Sequence, residues 1–337
     1  MTFSPRRAPR FRNNPPAAVF PPDRKAKPVL TVTLNPAIDK TVWMKEFRAG
    51  DDFRAKHIAL SAGGKGVNVS RALKNLKIDS LATGFLAGHT GDLLETLLKR
   101  EKIRHDFLKI PGETRTNLTI LDPHNKKSTR LLHEGPVLEK ISAEKFGKKL
   151  ARLAKKASCA VFSGSSLRGA PGSYYPGLIR IVRKAGIPVF LDAGGEILSS
   201  CLRTGPLLIK PNLAEAEKAV RGPLSSLARI KKAVRHFHSR GAAWVILSLG
   251  EKGAVASDGK NLWKITPPAL NPASTVGCGD ASIAGFIAAC LKGGDFEFCI
   301  RSAVAAGSAN VLNPIPGSFG KDAFLRILQK TRAEKLP

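Results

Sequence analysis

Thr275-Val276-Gly277-Cys278-Gly279-Asp280 runs directly into the apolar, helix-forming stretch Ala281–Leu291. Two glycines permit a tight turn, so that backbone N–H groups converge where a helix begins. Those first-turn donors have no intrahelical partner and the helix dipole is positive there, which makes the turn an anion site. Asp280 plants a carboxylate beside it. A carboxylate next to a bound phosphate suits removal of a proton from an attacking hydroxyl, a recurring arrangement in phosphoryl transfer. An aspartate near a helix N-terminus is expected to stay ionised and act as a weak base. By the same dipole argument, Cys278 is either a thiol of lowered pKa or an ordinary one, with its side chain incidental to the turn.

Four further segments place polar groups where such chemistry needs them. Ser61-Ala62-Gly63-Gly64-Lys65-Gly66-Val67-Asn68 is a second glycine-rich loop that ends at a helix start. A tight strand–helix turn explains its glycines but not Lys65 and Asn68. A cation there neutralises phosphate, and an amide both donates to and accepts from sugar hydroxyls. Leu34-Asn35-Pro36-Ala37-Ile38-Asp39 ends a strand on a carboxylate. Asp39 is either a ligand for two hydroxyls of a polyol or a turn-forming residue; ligands of parallel α/β sheets bind beyond the C-terminal strand ends.

Lys210-Pro211-Asn212-Leu213-Ala214-Glu215 sets Asn212 and Glu215 on one face of a following helix. That pair reads as a holder of hydrated Mg²⁺, as an N-cap with a capping-box glutamate, or as both. Ser248-Leu249-Gly250-Glu251-Lys252-Gly253 is a polar, glycine-bracketed turn fit for nucleotide phosphates or ribose. A Walker A loop is absent, since Gly63-Gly64-Lys65-Gly66 lacks its spacing, and so is a complete dinucleotide fingerprint.

The elements that must position these groups follow from hydrophobic periodicity. Strands are expected at Val29–Leu34, Leu81–Leu86, Cys159–Ser163, Ile187–Asp192, Leu207–Lys210 and Trp244–Leu249. Helices are expected at Val67–Leu76, Gly91–Lys102, Tyr174–Lys184, Leu213–Val220 and Leu227–Arg240. An antiparallel pair is expected at Gly253–Ser257 and Leu262–Ile265. The chain is then expected to close on three helices, Ala281–Leu291, Phe296–Leu312 and Lys321–Thr331. This rhythm gives an α/β fold, a mostly parallel sheet covered on both faces. Two polar hairpins, Thr41–Leu60 and Thr116–Leu121 with Ser128–Leu132, suit a separate small sheet, a lid. The Lys/Arg-rich stretches Lys148–Lys156 and Arg229–Arg235 read as solvated helix faces.

The chain has 337 residues, 43% of them apolar, with 31 Gly, 23 Pro and a formal net charge of +29. It is long enough to bury a sizeable core. No apolar run reaches the ~18–20 residues needed to span a bilayer, and the opening residues lack a secretory pattern. Five cysteines without C-x-x-C spacing read as reduced thiols, and the expected compartment is the cytoplasm. Residues 1–28 carry seven basic residues against Asp23, among seven prolines. They read as a disordered basic tail, most simply a solvated extension, and contact with nucleic acid is not expected outside it. Charge spread over the rest would concentrate polyanionic substrates such as ATP and sugar phosphates.

Taken together, these motifs resemble the PfkB (ribokinase-like) carbohydrate kinases, and most closely their 1-phosphofructokinase and tagatose-6-phosphate kinase branch. Thr33-Leu34-Asn35-Pro36-Ala37-Ile38-Asp39, Gly63-Gly64-Lys65-Gly66, the Asn212–Glu215 pair and Gly277-Cys278-Gly279-Asp280 carry the resemblance, which covers about Val29 to Thr331. It implies a three-layer α/β/α core over residues 29–335, with lid strands from about 37–60 and 112–134. It implies an ATP- and Mg²⁺-dependent enzyme phosphorylating a ketohexose phosphate. Fructose 1-phosphate is the first expectation; tagatose 6-phosphate, fructose 6-phosphate or an unphosphorylated sugar or nucleoside are alternatives. A basic nucleic-acid-associated or sugar-sensing protein is the non-enzymatic alternative.

Carried over by position, Asp280 would be the base, and the amides of Gly277, Cys278 and Gly279 the anion hole. Asp39, Gly63, Gly64, Lys65, Asn68 and Arg115 would hold the sugar phosphate. Lys210, Asn212 and Glu215 would organise ATP phosphates and Mg²⁺, the last two as its holders through water. Ser248, Gly250, Gly253, Gly307 and Asn310 would line the nucleotide pocket. Two positions depart from the pattern: Arg168 in Ser163-Gly164-Ser165-Ser166-Leu167-Arg168-Gly169, and Cys278, where alanine is commoner. A homodimer through the lid is expected, since open sheet edges often pair between subunits.

Overall fold

The computed structural model describes residues 19, 20, 26–55, 57–125 and 127–337. From β1 (Val29–Thr33) the chain enters an antiparallel pair, β2 (Ala37–Trp43) and β3 (His57–Gly63), then α1 (Lys65–Asn75), β4 (Ser80–Ala87) and α2 (Gly88–Arg100). β5 (Leu108–Ile110), β6 (Arg115–Asp122), β7 (Lys127–Leu131), α3 (Lys140–Lys155), β8 (Cys159–Ser163) and α4 (Tyr174–Lys184) follow. Next come β9 (Val189–Asp192), α5 (Gly195–Cys201), β10 (Leu208–Ile209), α6 (Leu213–Val220), α7 (Leu227–Ser239) and β11 (Trp244–Ser248). The last elements are β12 (Ala254–Ser257), β13 (Leu262–Thr266), α8 (Cys278–Leu291), α9 (Phe296–Asn310), α10 (Lys321–Lys330) and β14 (Arg332–Leu336).

Ten strands form one sheet in the order β14-β13-β12-β11-β10-β9-β8-β1-β4-β5. From β11 to β5 all pairings are parallel, whereas β12, β13 and β14 are added antiparallel. Strands in the middle of a parallel sheet are covered on both faces, and the fully buried Val-Leu-Thr-Val-Thr of β1 shows it. One face packs on α1, α8, α9 and α10, the other on α3 to α7. α8 is apolar around its circumference and accordingly buried over most of its length. A Cβ on Gly285 would lie 2.4 Å from the Ser302 carbonyl oxygen, so α8 and α9 meet backbone to backbone there. Farther along, the buried Sγ atoms of Cys290 and Cys299 lie 3.3 Å apart as free thiols.

The smaller sheet runs β3-β2-β6-β7, with β2 parallel to β6. A separate apolar cluster containing Ile38, Ala62, Val67, Leu86 and Leu94 joins it to the main body. The first expected hairpin therefore begins earlier and ends later than Thr41–Leu60, because register with β6 runs back to Ala37.

Two expectations need correction. The chain does not close on three helices: β14 pairs along β13 from Leu336 opposite Leu262 to Arg332 opposite Thr266. Its charged, half-exposed sequence suits an edge strand, whose outer side meets water. Nor is all of 1–28 an unpacked tail. Val19 and Phe20 are buried in the main core, and the Phe20 ring stacks on Phe190 at 6.4 Å. The remaining tail expectation concerns residues 1–18 and 21–25, outside those described. Cutting a buried phenylalanine to alanine typically costs about 3–5 kcal/mol. Phe20→Ala is therefore expected to lower the urea-unfolding free energy by about that much; a change below ~0.5 kcal/mol would show that the packing is not maintained in solution.

Candidate active site

The C-terminal ends of β1, β9, β10 and β11 open at one edge of the large sheet, and α8 starts beside them. Gly277 takes a left-handed backbone, φ 82°, at the helix N-cap, and no side chain caps the first turn. A Cβ there would lie 2.7 Å from Pro316 and 2.8 Å from the Gly317 nitrogen, so glycine is required on both counts. The uncapped amides of this turn are what the sequence reading asked of an anion hole.

Asp280, in the first turn of α8, is 4% exposed and accepts a 2.8 Å hydrogen bond from Asn68 Nδ2. Asn68 is held in turn from α1, where Arg71 Nη1 donates to its Oδ1 at 2.8 Å. Arg71 is almost fully buried and also donates to the Pro316 and Ala62 carbonyls and to both carboxylate oxygens of Glu101. An asparagine offers either its oxygen or its nitrogen; with its oxygen occupied by Arg71, the amino group faces Asp280.

A second cluster meets Asp280 through charge. Asp192, the last residue of β9, lies 3.3 Å from Lys210 and 3.7 Å from Lys65, and Lys65 lies 3.5 Å from Glu215. Burial would raise the Asp192 carboxyl, but Lys210 and Lys65 outweigh it and hold the group below its ordinary range. Lys65 is raised, chiefly by Asp192. Asp280 shows the opposite balance. Burial first, and the Asp192 charge second, push its carboxyl up to about 7. The expectation of an ionised, weak base is thus corrected to a stronger base that is partly protonated near neutral pH, because desolvation exceeds what the cations and the Asn68 hydrogen bond return. Cys278 is likewise raised rather than lowered, by burial.

On the side of the small sheet, Asp39 accepts from Asn117 Nδ2 at 2.9 Å, and burial raises its carboxyl. A Cβ on Gly63 would lie 2.1 Å from that carboxylate, so the glycine makes room for it. Gly64 is the N-cap of α1 and packs on Thr33 and Pro36. Arg115 donates to the Asn35 and His133 carbonyls. Arg130 of β7 also acts on Asp39 and belongs to the same sheet face by register. Arg168 pairs with Glu134 at 3.4 Å, on an exposed loop.

Asn212 and Glu215 form a complete capping box, with hydrogen bonds of 2.8 and 3.0 Å. Two of their oxygens are thereby engaged, leaving Glu215 Oε1 facing Lys65. Among the described residues no three His, Cys, Asp or Glu side chains lie close enough to cage a metal directly. A Mg²⁺ that keeps most of its waters still fits oxygen donors such as Glu215 and Asp192.

Ser248 lies in register with Asn212 and its amide donates to the Pro211 carbonyl, while Gly250 and Gly253 bound a short turn after β11. Two expected nucleotide contacts are placed differently. A Cβ on Gly307 would strike Ser282 Oγ at 2.2 Å, so this glycine serves the packing of α9 on α8. Asn310 is fully buried and binds the Val276 carbonyl and the Gly317 amide at 2.8 and 2.6 Å. It braces the anion turn from behind.

The sequence of pfkB family carbohydrate kinases matches residues 32–318. The chain belongs to that family. A tagatose-6-phosphate kinase of Staphylococcus epidermidis is 32% identical over 305 residues, covering 90% of this chain and 98% of that one. Escherichia coli phosphofructokinase-2, solved with fructose-6-phosphate, superposes with a TM-score of 0.84 at 27% identity, covering 90% and 98% of the two chains. A Thermotoga maritima structure described as a possible 1-phosphofructokinase gives 0.81 at 28% identity, covering 92% and 99%. This carbohydrate kinase is accordingly a phosphotransferase with an alcohol acceptor, on the ribokinase-like fold. Among its described residues no helix is long and apolar enough to cross a membrane.

Asp192, Arg71, Asn117 and Arg130 were not singled out from sequence. Asp192 carried a usable signal, a carboxylate closing an apolar strand ahead of Ala193-Gly194-Gly195. Arg71 had none, since a basic residue within a helix is ordinarily a solvated one. The raised Asp280 carboxyl has a consequence for stability. Its ionised form is disfavoured on folding, so the contribution is fully present below the ordinary carboxylate range and is lost as pH rises through about 7. Asp280→Asn is therefore expected to have a larger unfolding free energy than the parent at pH 8, by on the order of 4 kcal/mol. The gap should close below about pH 4; a gap independent of pH would contradict the assignment.

Proposed function

We propose that the kinase transfers the γ-phosphoryl of ATP to a hydroxyl of a ketohexose phosphate, with fructose 1-phosphate, giving fructose 1,6-bisphosphate, as the first acceptor to test. The observation that carries this is the buried Asp280 carboxylate beside uncapped α8 amides, with Lys65 and Lys210 gathered at Asp192. Asp280 takes the acceptor proton, and a carboxyl raised to about 7 is well matched to that task near neutral pH. Asn68 keeps it oriented. The α8 amides receive charge on the transferring phosphoryl, and Lys65, between Asp192 and Glu215, follows that charge. Mg²⁺, when bound, would neutralise the ATP phosphates, held through water by Glu215 with Asn212 organising the turn.

Asp39 and Asn117 hold the sugar hydroxyls, and Arg115 with Arg130 face the phosphate the acceptor already carries. The small sheet, over residues about 37–60 and 112–134, is the lid that excludes water from the reaction. Its opposite face bears Ile58 and Leu60, 48% and 46% exposed. Covering such a patch suits the proposed homodimer, and the Escherichia coli phosphofructokinase-2 has a tetrameric inhibited form.

Asp280→Ala is expected to lower kcat by about 10²–10⁴ while ATP still binds; kcat within threefold of the parent would remove Asp280 as base. In the parent, kcat/KM should rise with pH towards a plateau above about 7, since this ratio reports the free enzyme. Arg115→Ala and Arg130→Ala should mainly raise KM for a phosphorylated acceptor. Fructose 1-phosphate, fructose 6-phosphate, tagatose 6-phosphate, ribose and adenosine, compared as acceptors, decide the substrate; a preference for the last two would sink the sugar-phosphate reading. Ile58→Glu with Leu60→Glu should shift the sedimentation coefficient from dimer to monomer, and an unshifted dimer would place the interface elsewhere.

A further inference from the structure

At the edge of the large sheet opposite the active site, a cavity of about 540 Å³ opens below the starts of β1 and β4. Its lining includes Lys74, Lys77, Lys102, Arg104 and Lys321 against a single carboxylate, Asp79. Ser70, Asn75 and Ser80 add polar groups, and Ile78, Ile103 and Phe319 form an apolar wall. Asp79 is paired with Arg104, and Lys74 donates to the Glu101 carbonyl. Among the described residues, Lys77, Lys102 and Lys321 form no ion pair with a carboxylate, and all three are exposed.

Two of these lysines stand at unusual backbone positions. Lys77 and Lys102 have φ of 61° and 53°, just after α1 and α2. A left-handed residue that ends a helix is usually glycine, because a Cβ is disfavoured there. Of the four non-glycine residues with positive φ among the described residues, two are lysines and both line this one cavity. Local backbone preference argues against a side chain at either position, so the ammonium groups they bring have a different justification. With Arg104 paired to Asp79, the other four cations on this concave wall repel one another unless an anion offsets them.

We propose that this cavity binds a small molecule carrying two or more phosphate groups, at a site separate from the catalytic cleft. β1 has five residues between its two ends, which sets the two sites about 15 Å apart along the strand. They are connected through one segment. Asn75, in the cavity wall, donates to the Gly317 carbonyl at 3.2 Å, and the Gly317 amide donates to Asn310, which braces the anion turn. An anion seated against Lys321 and Phe319 therefore touches the same segment, residues 316–321, that backs Gly277. This proposal holds whatever sugar the kinase phosphorylates, because its readout is binding.

The test is calorimetric titration of the full chain with sodium tripolyphosphate at fixed ionic strength, beside Lys77→Gly/Lys102→Gly. Since that variant leaves the cleft untouched, any difference between the two proteins reports the cavity. The parent is expected to show a class of sites that the variant loses or binds at least about tenfold more weakly, having lost two of its charge-assisted contacts. Glycine accepts both backbone positions, so the variant should melt at or above the parent temperature without ligand, which separates lost binding from lost fold. Lys321→Glu, at an ordinary helical position, should lose the same class. Identical isotherms for parent and both variants would overturn the proposal, and orthophosphate binding as tightly as tripolyphosphate would overturn the polyphosphate class.

Discussion

A carboxylate taken out of water beside another carboxylate is the constraint around which this cleft is arranged. Asp280 is buried at a helix start, and Asp192 adds negative charge to its surroundings. Neither would persist in isolation, since an unpaired buried charge neutralises itself by shifting its pKa. The two groups share cations unequally. Lys210 and Lys65 sit on Asp192 and keep it ionised, whereas Asp280 has an amide for its immediate partner. One acid is thereby held as a fixed charge and the other near its point of titration. Pairs of titratable groups driven apart in this way divide structural and chemical roles between them.

Supporting that division takes a large share of the surrounding polar structure. Arg71 is committed to five acceptor atoms, one of which sets the orientation of Asn68. Asn310 and Pro316 hold the Gly277 turn from the far side, and Gly307 lets α9 come close enough for this. The reacting groups thus sit on helix termini and strand ends, while the parts that fix them lie inside α1 and α9.

This separation explains what could be read from the sequence. Cys159–Ser163, Tyr174–Lys184 and Leu213–Val220 have the expected bounds, because a continuous apolar run or a clear amphipathic period with a cap defines them. The Gly277-Cys278-Gly279-Asp280 turn and the Asn212/Glu215 box were legible for the same reason: each is local, a few residues whose backbone geometry dictates their types. What escaped is non-local. Arg71 meets Pro316 across 245 positions, and Asp192 acquires its charge state from Lys65 and Lys210. β14 was hidden because an edge strand needs no apolar run, and Phe20 because its neighbours in sequence are basic and proline-rich. The electrostatic reading of Asp280 failed through burial, which a helix-terminus argument does not measure.

The cysteines acquire a practical meaning from their positions. Cys278 is half-buried at the mouth of the cleft, whereas Cys159, Cys201, Cys290 and Cys299 are buried. A slow alkylating reagent has one target in the native protein, at the turn where phosphoryl groups would lie. The close Cys290–Cys299 pair, at the other end of α8, becomes accessible only when the two central helices part. Mass spectrometry of the alkylated chain would therefore count two separate events in one sample: solvent entry at the cleft, and loss of the core.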